Sequence, residues 1–252
     1  MIFHFTVFLW TVIFYGVLQG ILHLDTSATW SWYFFSISPL LIVVALATKR
    51  ITGRLRDIFL PALFALTTPT LLSFIDNSSE QQVFVFLASS MVYLAFMGSY
   101  RLKQAPQDQT AIAFLQSASL AGLFLFYGSM YGFYLNFNFP LWALMVLFFM
   151  GTTFTSFATL VPDLPKESYP QAKLYSVLLG LTLTELAWVV SFWPFGYLTT
   201  GTISLIFFYI SWDIAWQALR NTLTLKRVLF RMAFFFALIG LLLISTPWRI
   251  LV

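Results

Sequence analysis

Nine times along its 252 residues the chain runs for about 18 to 25 residues with almost no charge, and the connections between runs are short and polar. Crossing the hydrocarbon core of a bilayer takes about 20 such residues in a helix. This spacing predicts an all-α, polytopic transmembrane helix bundle. The runs are 2–22, 30–48, 58–75, 83–100, 111–135, 141–161, 174–193, 197–219 and 228–246. Only 9% of residues are charged and 60% are hydrophobic, against about 25% charged in a soluble domain. No connection is long enough for a soluble domain, so residues 1–252 read as one integral-membrane domain. There is no internal repeat. The 30 phenylalanines suit a surface that faces lipid.

Charge then predicts orientation. Lys49, Arg50, Arg54 and Arg56 follow the second run, and Arg101 and Lys103 the fourth. Lys166 and Lys173 follow the sixth, and Arg220, Lys226, Arg227 and Arg231 the eighth. Twelve basic residues thus fall on one side, against Arg249 alone on the other. The positive-inside rule makes the basic side cytoplasmic, with the N-terminus inside and the C-terminus outside. Asp25, Asp76 and Glu80 fall outside, as do Trp30, Trp32, Trp142, Trp193 and Trp248 in the manner of an aromatic belt. The third run, with Pro61 and Thr67-Thr-Pro-Thr70, is the weakest span. If it failed to cross, every later loop would change sides and the charge rule would break. Nine crossings are therefore expected.

The net charge of +4 does not mark a nucleic-acid binder, because the basic residues sit in short loops between spans. No nucleic-acid partner is expected. The chain has no cysteine, which excludes disulfides and thiolate chemistry. The first run lacks a basic leader and a small-residue cleavage site, and is too long for a signal peptide core. It reads as an uncleaved span.

Two acids fall inside runs that should carry none, and intramembrane ionisable residues are functional candidates. Glu185 lies eight residues before Trp193, about 12 Å below the outer interface. Leu178, Thr182, Trp188 and Phe192 share its helical face, and Thr202 and Ser204 lie at nearly its depth on the next helix. No Lys or Arg lies at that level. The carboxyl is expected to keep its proton, face the bundle interior, and serve either as a proton or ion site or as a hydrogen-bonding group between helices. Asp213 lies about 6 Å from the inner end of the eighth span, and Arg231 about 4–5 Å into the ninth from the same side. A short loop makes these helices antiparallel neighbours, so Asp213 and Arg231 are expected to pair.

The remaining chemistry is sparse. His4 and His23 stand at opposite ends of the first run, about 28 Å apart, and cannot share a haem or a metal. No lysine sits within a span to carry a Schiff base, and no glycine-rich loop would cradle a phosphate. Glu185 and Asp213 differ in depth by roughly 10 Å, too far for a catalytic dyad. No cofactor, metal site or catalytic residue is expected. Gly128-x-x-x-Gly132, Gly151-Thr-Thr-Phe-Thr-Ser156, and Ser36, Ser38 and Pro39 suit close helix packing or, alternatively, a polar pathway.

Thr184-Glu-Leu-Ala-Trp188, Ser191-Phe-Trp-Pro194, a hydroxyl-rich helix start, a basic loop and the segment from Leu241 to Pro247 together resemble an uncharacterised bacterial family. That family is a polytopic domain of unknown function, found mainly in candidate-phylum bacteria. The resemblance covers roughly the last 80 residues. It implies a multi-pass protein of the bacterial inner membrane and transfers no activity. Two functional classes follow. The first is a non-enzymatic scaffold or subunit of a membrane complex, with a membrane-protein partner or a second copy of itself. The alternative is a carrier or channel for a proton-coupled or lipid-like solute that uses Glu185. A membrane enzyme is a third.

Overall fold

The computed structural model describes residues 2–23, 30–105, 107–137, 139–161 and 164–246. Asp25, Pro247, Trp248, Arg249 and the side chain of Trp30 lie outside the described set. Among the described residues there are nine α-helices and no strand. They are α1 Ile2–Leu22, α2 Trp30–Ile51, α3 Phe59–Leu72, α4 Ser78–Gln104, α5 Gln109–Asn136, α6 Leu141–Leu160, α7 Tyr169–Val190, α8 Tyr197–Leu219 and α9 Leu225–Ser245. Eight of these are long and apolar enough to cross a membrane. The chain forms two compact units, Met1–Leu125 and Phe126–Val252, with the boundary inside α5.

The first unit holds α1 to α4 and the start of α5. Near the end of α1, Gln19 exchanges amide hydrogen bonds with Gln82, near the start of α4, at 2.6 and 3.1 Å. At the other end of α1, His4 meets Tyr100 near the end of α4, with ring centroids 6.3 Å apart. The two helices are therefore antiparallel. Tyr33, in the first turn of α2, bonds Ser73, just past α3, at 3.0 Å. So α3 runs back along α2 to the end where α2 began. Lys49 and Arg50 close α2, and Arg101 and Lys103 close α4.

The third span differs from the one expected over 58–75. It is a helix of 14 residues, about 21 Å long, short of the ~30 Å hydrocarbon core. After Leu72 the backbone closes into turns, with Phe74 N donating to Leu71 O and Ile75 N to Leu72 O. An apolar helix of this length belongs inside a protein rather than against lipid, and α3 is buried along most of its length, from Leu60 to Leu72. Two of its three threonine hydroxyls are satisfied within the helix, while Thr68 Oγ1 is buried without a partner. Thr67 donates to Leu63 O at 2.8 Å and Thr70 to Leu66 O at 3.0 Å, so neither needs water.

The helix ends follow ordinary capping chemistry. The Asn77 side chain accepts from Ser79 N at 3.0 Å and donates to Glu80 at 3.1 Å, which starts α4. Asp108 accepts from Thr110 N and Ala111 N at the start of α5 and pairs with Arg101 at 2.9 Å. Asn221, at φ 54°, reverses the chain after α8. Of the tryptophans expected at an interface, Trp142 is exposed in the first turn of α6, Trp193 is half-buried, and Trp32 is buried.

The second unit holds the end of α5 and α6 to α9. Its centre is aromatic. Tyr127, Tyr131 and Phe148 are almost wholly buried, and the Tyr127 ring stacks on Phe148 at 4.7 Å. The Tyr127 hydroxyl meets Thr152 at 2.9 Å, and Tyr131 donates to the Ala187 carbonyl at 3.2 Å. Helices α6 and α7 pack antiparallel, with Thr184 reaching Met145 O at 3.4 Å. At Gly180 a Cβ would stand 2.1 Å from Thr153 Oγ1, so the bare glycine is the notch that admits Thr153. The α5–α8 crossing brings backbone against backbone. A Cβ on Gly201 would lie 2.9 Å from the backbone nitrogen of Gly128. Gly128 of the GxxxG pair thus serves tight helix packing.

Candidate functional site

The residues singled out from the sequence fall into two places that do not meet. The first is the outer face of α7. Helix α7 buries Ala172, Ser176, Leu179, Gly180, Leu183, Ala187 and Val190 against its neighbours. Its small residues let α6 approach, and that contact sets the rotation of the helix. Glu185 is consequently turned outward and exposed. The interior placement expected for it is not the one observed. Leu178, Thr182, Trp188 and Phe192 share this exposed face, and the Trp188 and Phe192 rings touch edge to face at 5.6 Å. Among the described residues, no hydrogen bond or ion pair engages Glu185.

The hydroxyls expected beside Glu185 are elsewhere engaged. Ser204 is fully buried and donates to Thr200 O at 2.9 Å. Thr202 donates to Leu198 O at 2.7 Å, and Thr182 to Leu178 O at 2.9 Å. Thr202 and Thr182 are satisfied on their own helices, and Ser204 also bonds Tyr131 on α5. No polar network joins Thr202 or Ser204 to Glu185 among the described residues.

The second place lies between α8 and α9. Phe207 meets Phe236 at 6.0 Å and Tyr209 meets Phe235 at 5.4 Å, which aligns the helices antiparallel. One helical turn further along, Arg231 forms a salt bridge to Asp213 Oδ2. The same oxygen accepts from Gln217 Nε2 at 2.6 Å. Asp213 and Gln217 are both buried, while the Arg231 side chain is 45% exposed. Gln217 Oε1 is buried without a partner. Beside this cluster the Arg220 guanidinium sits 4.0 Å above the Trp216 ring, and Trp212 donates to Thr159 at 3.0 Å. The arrangement holds a charge in place. It presents no nucleophile beside a base, and among the described residues no group of His, Asp and Glu could hold a metal.

A third feature was not foreseen from the sequence. A cavity of about 610 Å³ opens between α1 and α4 in the first unit, lined by Phe8, Thr11, Tyr15, Phe86, Ser89 and Tyr93 among others. None of its lining residues belongs to the acid sites. The nearest lining residues from the two helices, Tyr15 and Phe86, lie 71 positions apart in sequence, and no local pattern marks their shared groove.

No curated protein and no solved structure matches the chain. A family model does match, over residues 44–246, far beyond the last 80 residues that carried the resemblance. Its span takes in α3 to α9 and both acids. The chain belongs to the family described as a protein of unknown function, DUF5656.

Proposed function

We propose that this multi-pass protein is a non-enzymatic scaffold or subunit of a membrane assembly. The observation that carries this reading is the outward turn of Glu185. A titrating group in a carrier must line a path through its own bundle. Here the carboxyl points away from the bundle, while the inward hydroxyls of Thr155, Ser156 and Ser204 bond the backbone of their own helices. A charged acid costs up to about 2.5–3.5 kcal/mol at the centre of a span on insertion scales, and less toward its end, where Glu185 stands five residues before Val190. A group placed there, pointing outward, is suited to meet another protein. The α1–α4 cavity favours a second reading, binding of a lipid-like solute in the first unit. The size suits it, since ligand pockets run about 300–1,000 Å³.

The test is native mass together with flux. A mild-detergent extract should contain the protein in assemblies heavier than one 28.9 kDa chain. Reconstituted vesicles should show no proton flux that Glu185→Gln removes. A monomeric extract, or a flux abolished by that substitution, would overturn the scaffold reading.

The orientation belongs to the same proposal. The basic ends of α2 and α4 face the cytoplasm of a bacterial cell, the N-terminus is inside, and the membrane is the inner one. Twelve basic residues against Arg249 support this. Reporter fusions after Lys103 and after Asn136 should read inside and outside respectively. Two fusions reporting the same side would exclude it.

A further inference from the structure

We infer that the groove between α1 and α4 binds an uncharged, membrane-dissolved molecule with a carbonyl group, of the kind a quinone ring presents, and that the Ser89 hydroxyl donates to that carbonyl. The inference rests on the second reading above, a lipid-like solute in the first unit, and names the chemistry of that solute. Two contacts set the register of the helices, Gln19 with Gln82 and His4 with Tyr100. In that register Phe8 falls level with Tyr93, and Tyr15 with Phe86, while Thr11, Ser89 and Ser90 lie between these aromatic pairs. The groove therefore runs about 10 Å along the helices, with rings at both ends and hydroxyls in the middle.

One of these hydroxyls differs from the others. Thr11 donates to Val7 O at 3.0 Å and Ser90 to Phe86 O at 2.8 Å. Ser89 is only 4% exposed, and its Oγ has no hydrogen-bond partner. A buried hydroxyl left unpaired costs free energy that an acceptor on a ligand would recover. None of the lining residues is charged, so an ionised ligand would find no counter-charge. Depth then narrows the choice. Helix α4 has 27 residues and is about 40 Å long, so it overhangs a hydrocarbon core of ~30 Å by about 5 Å at each end. Ser89 stands eleven residues after Ser78, about 16 Å along the helix and thus about 11 Å inside that core. The ester groups of a phospholipid stay at the surface of the core, and its tails would offer Ser89 only methylenes. A quinone dissolves in the core whole and carries carbonyl oxygens and a flat ring to this depth. A partner helix fits less well, because its backbone carbonyls are already bonded within the helix and it extends far beyond a groove of about 10 Å. The volume of about 610 Å³ is that of a small-ligand site.

Decylbenzophenone is a suitable probe, since its carbonyl accepts a hydrogen bond and also inserts into nearby C–H bonds under ultraviolet light. In membranes it should label peptides of α1 and α4 saturably. Decylbenzoquinone should displace it at a membrane concentration about tenfold below that of decylbenzene, from one hydrogen bond to a buried donor. In Ser89→Ala the two competitors should be equal. The thermal midpoint of that variant should be unchanged or raised, because the substitution removes an unpaired buried hydroxyl. Decylbenzene competing as well as decylbenzoquinone on the native chain would overturn carbonyl recognition, while leaving the reading of an apolar solute in place. A preference that survives Ser89→Ala, or a lowered midpoint in that variant, would overturn the assignment of Ser89. The absence of saturable labelling on both helices, whether the groove is empty or another protein covers it, would overturn this inference and the solute reading together.

Discussion

Gly201→Val is expected to be among the most damaging substitutions in the chain, at about 3 kcal/mol, the upper end of the usual overpacking range. The reason is what the new side chain meets. A Cβ at position 201 would lie 2.9 Å from Gly128 N and 3.0 Å from Gly128 Cα. These are backbone atoms, and no rotamer change moves them. Helices α5 and α8 would have to separate, and the separation would disturb the Tyr131 bond to Ala187 O and the Tyr127–Phe148 stack. Membrane helices gain little hydrophobic drive from meeting each other, so close contact supplies much of their cohesion. Gly240→Val is the matched control, because nothing stands within 4 Å of a Cβ there. Unfolding in mixed detergent should show a large loss for the first and almost none for the second. Equal effects would mean that helix propensity, not the crossing, sets the cost.

Arg231→Leu should follow closely, at about 2–3 kcal/mol. Breaking a fully buried ion pair costs about 3–5 kcal/mol, because the remaining charge is stranded. Asp213 is buried and would keep only its bond from Gln217. The Arg231 side chain is 45% exposed, so water already weakens the pair and the loss falls below that range. Asp213→Leu should cost less than Arg231→Leu, since the arginine it strands can reach solvent. The exchange Asp213→Arg with Arg231→Asp should recover part of what either single reversal loses. Losses that simply add in the double variant would show that the two residues do not interact.

The Asp213–Arg231 contact was legible because it is local. A short loop and equal distances from that loop suffice to place two side chains together on antiparallel helices. The face of α7 was legible too, since helical spacing alone puts Leu178, Thr182, Glu185, Trp188 and Phe192 on one side. Its direction was not. In a soluble protein polarity separates the buried side of a helix from the exposed side, but in a bilayer both sides are apolar. The buried face of α7 combines the small Ala172, Ser176, Gly180 and Ala187, which admit close approach, with Leu179, Leu183 and Val190. A rule that sends polar groups inward therefore misplaced Glu185. The third run misled for a different reason. Counting apolar residues includes Ser73, Phe74 and Ile75, which close as turns and add no helix. The Gln19–Gln82 bond and the α1–α4 cavity join segments 63 residues apart in the bonded pair, beyond the reach of any local pattern.

The brevity of α3 bears on how such a chain enters the membrane. A helix of about 21 Å cannot by itself keep both ends in water across a full hydrocarbon core, and its neighbours must mask the shortfall. Insertion of helices one at a time, each stable before it associates, therefore does not describe this stretch. On the orientation proposed above, α3 would enter together with α2 and α4, which flank it in sequence and pack against it. Cohesion between α3 and its two flanking helices would then be needed while the chain is being threaded into the bilayer, before there is a finished fold to stabilise.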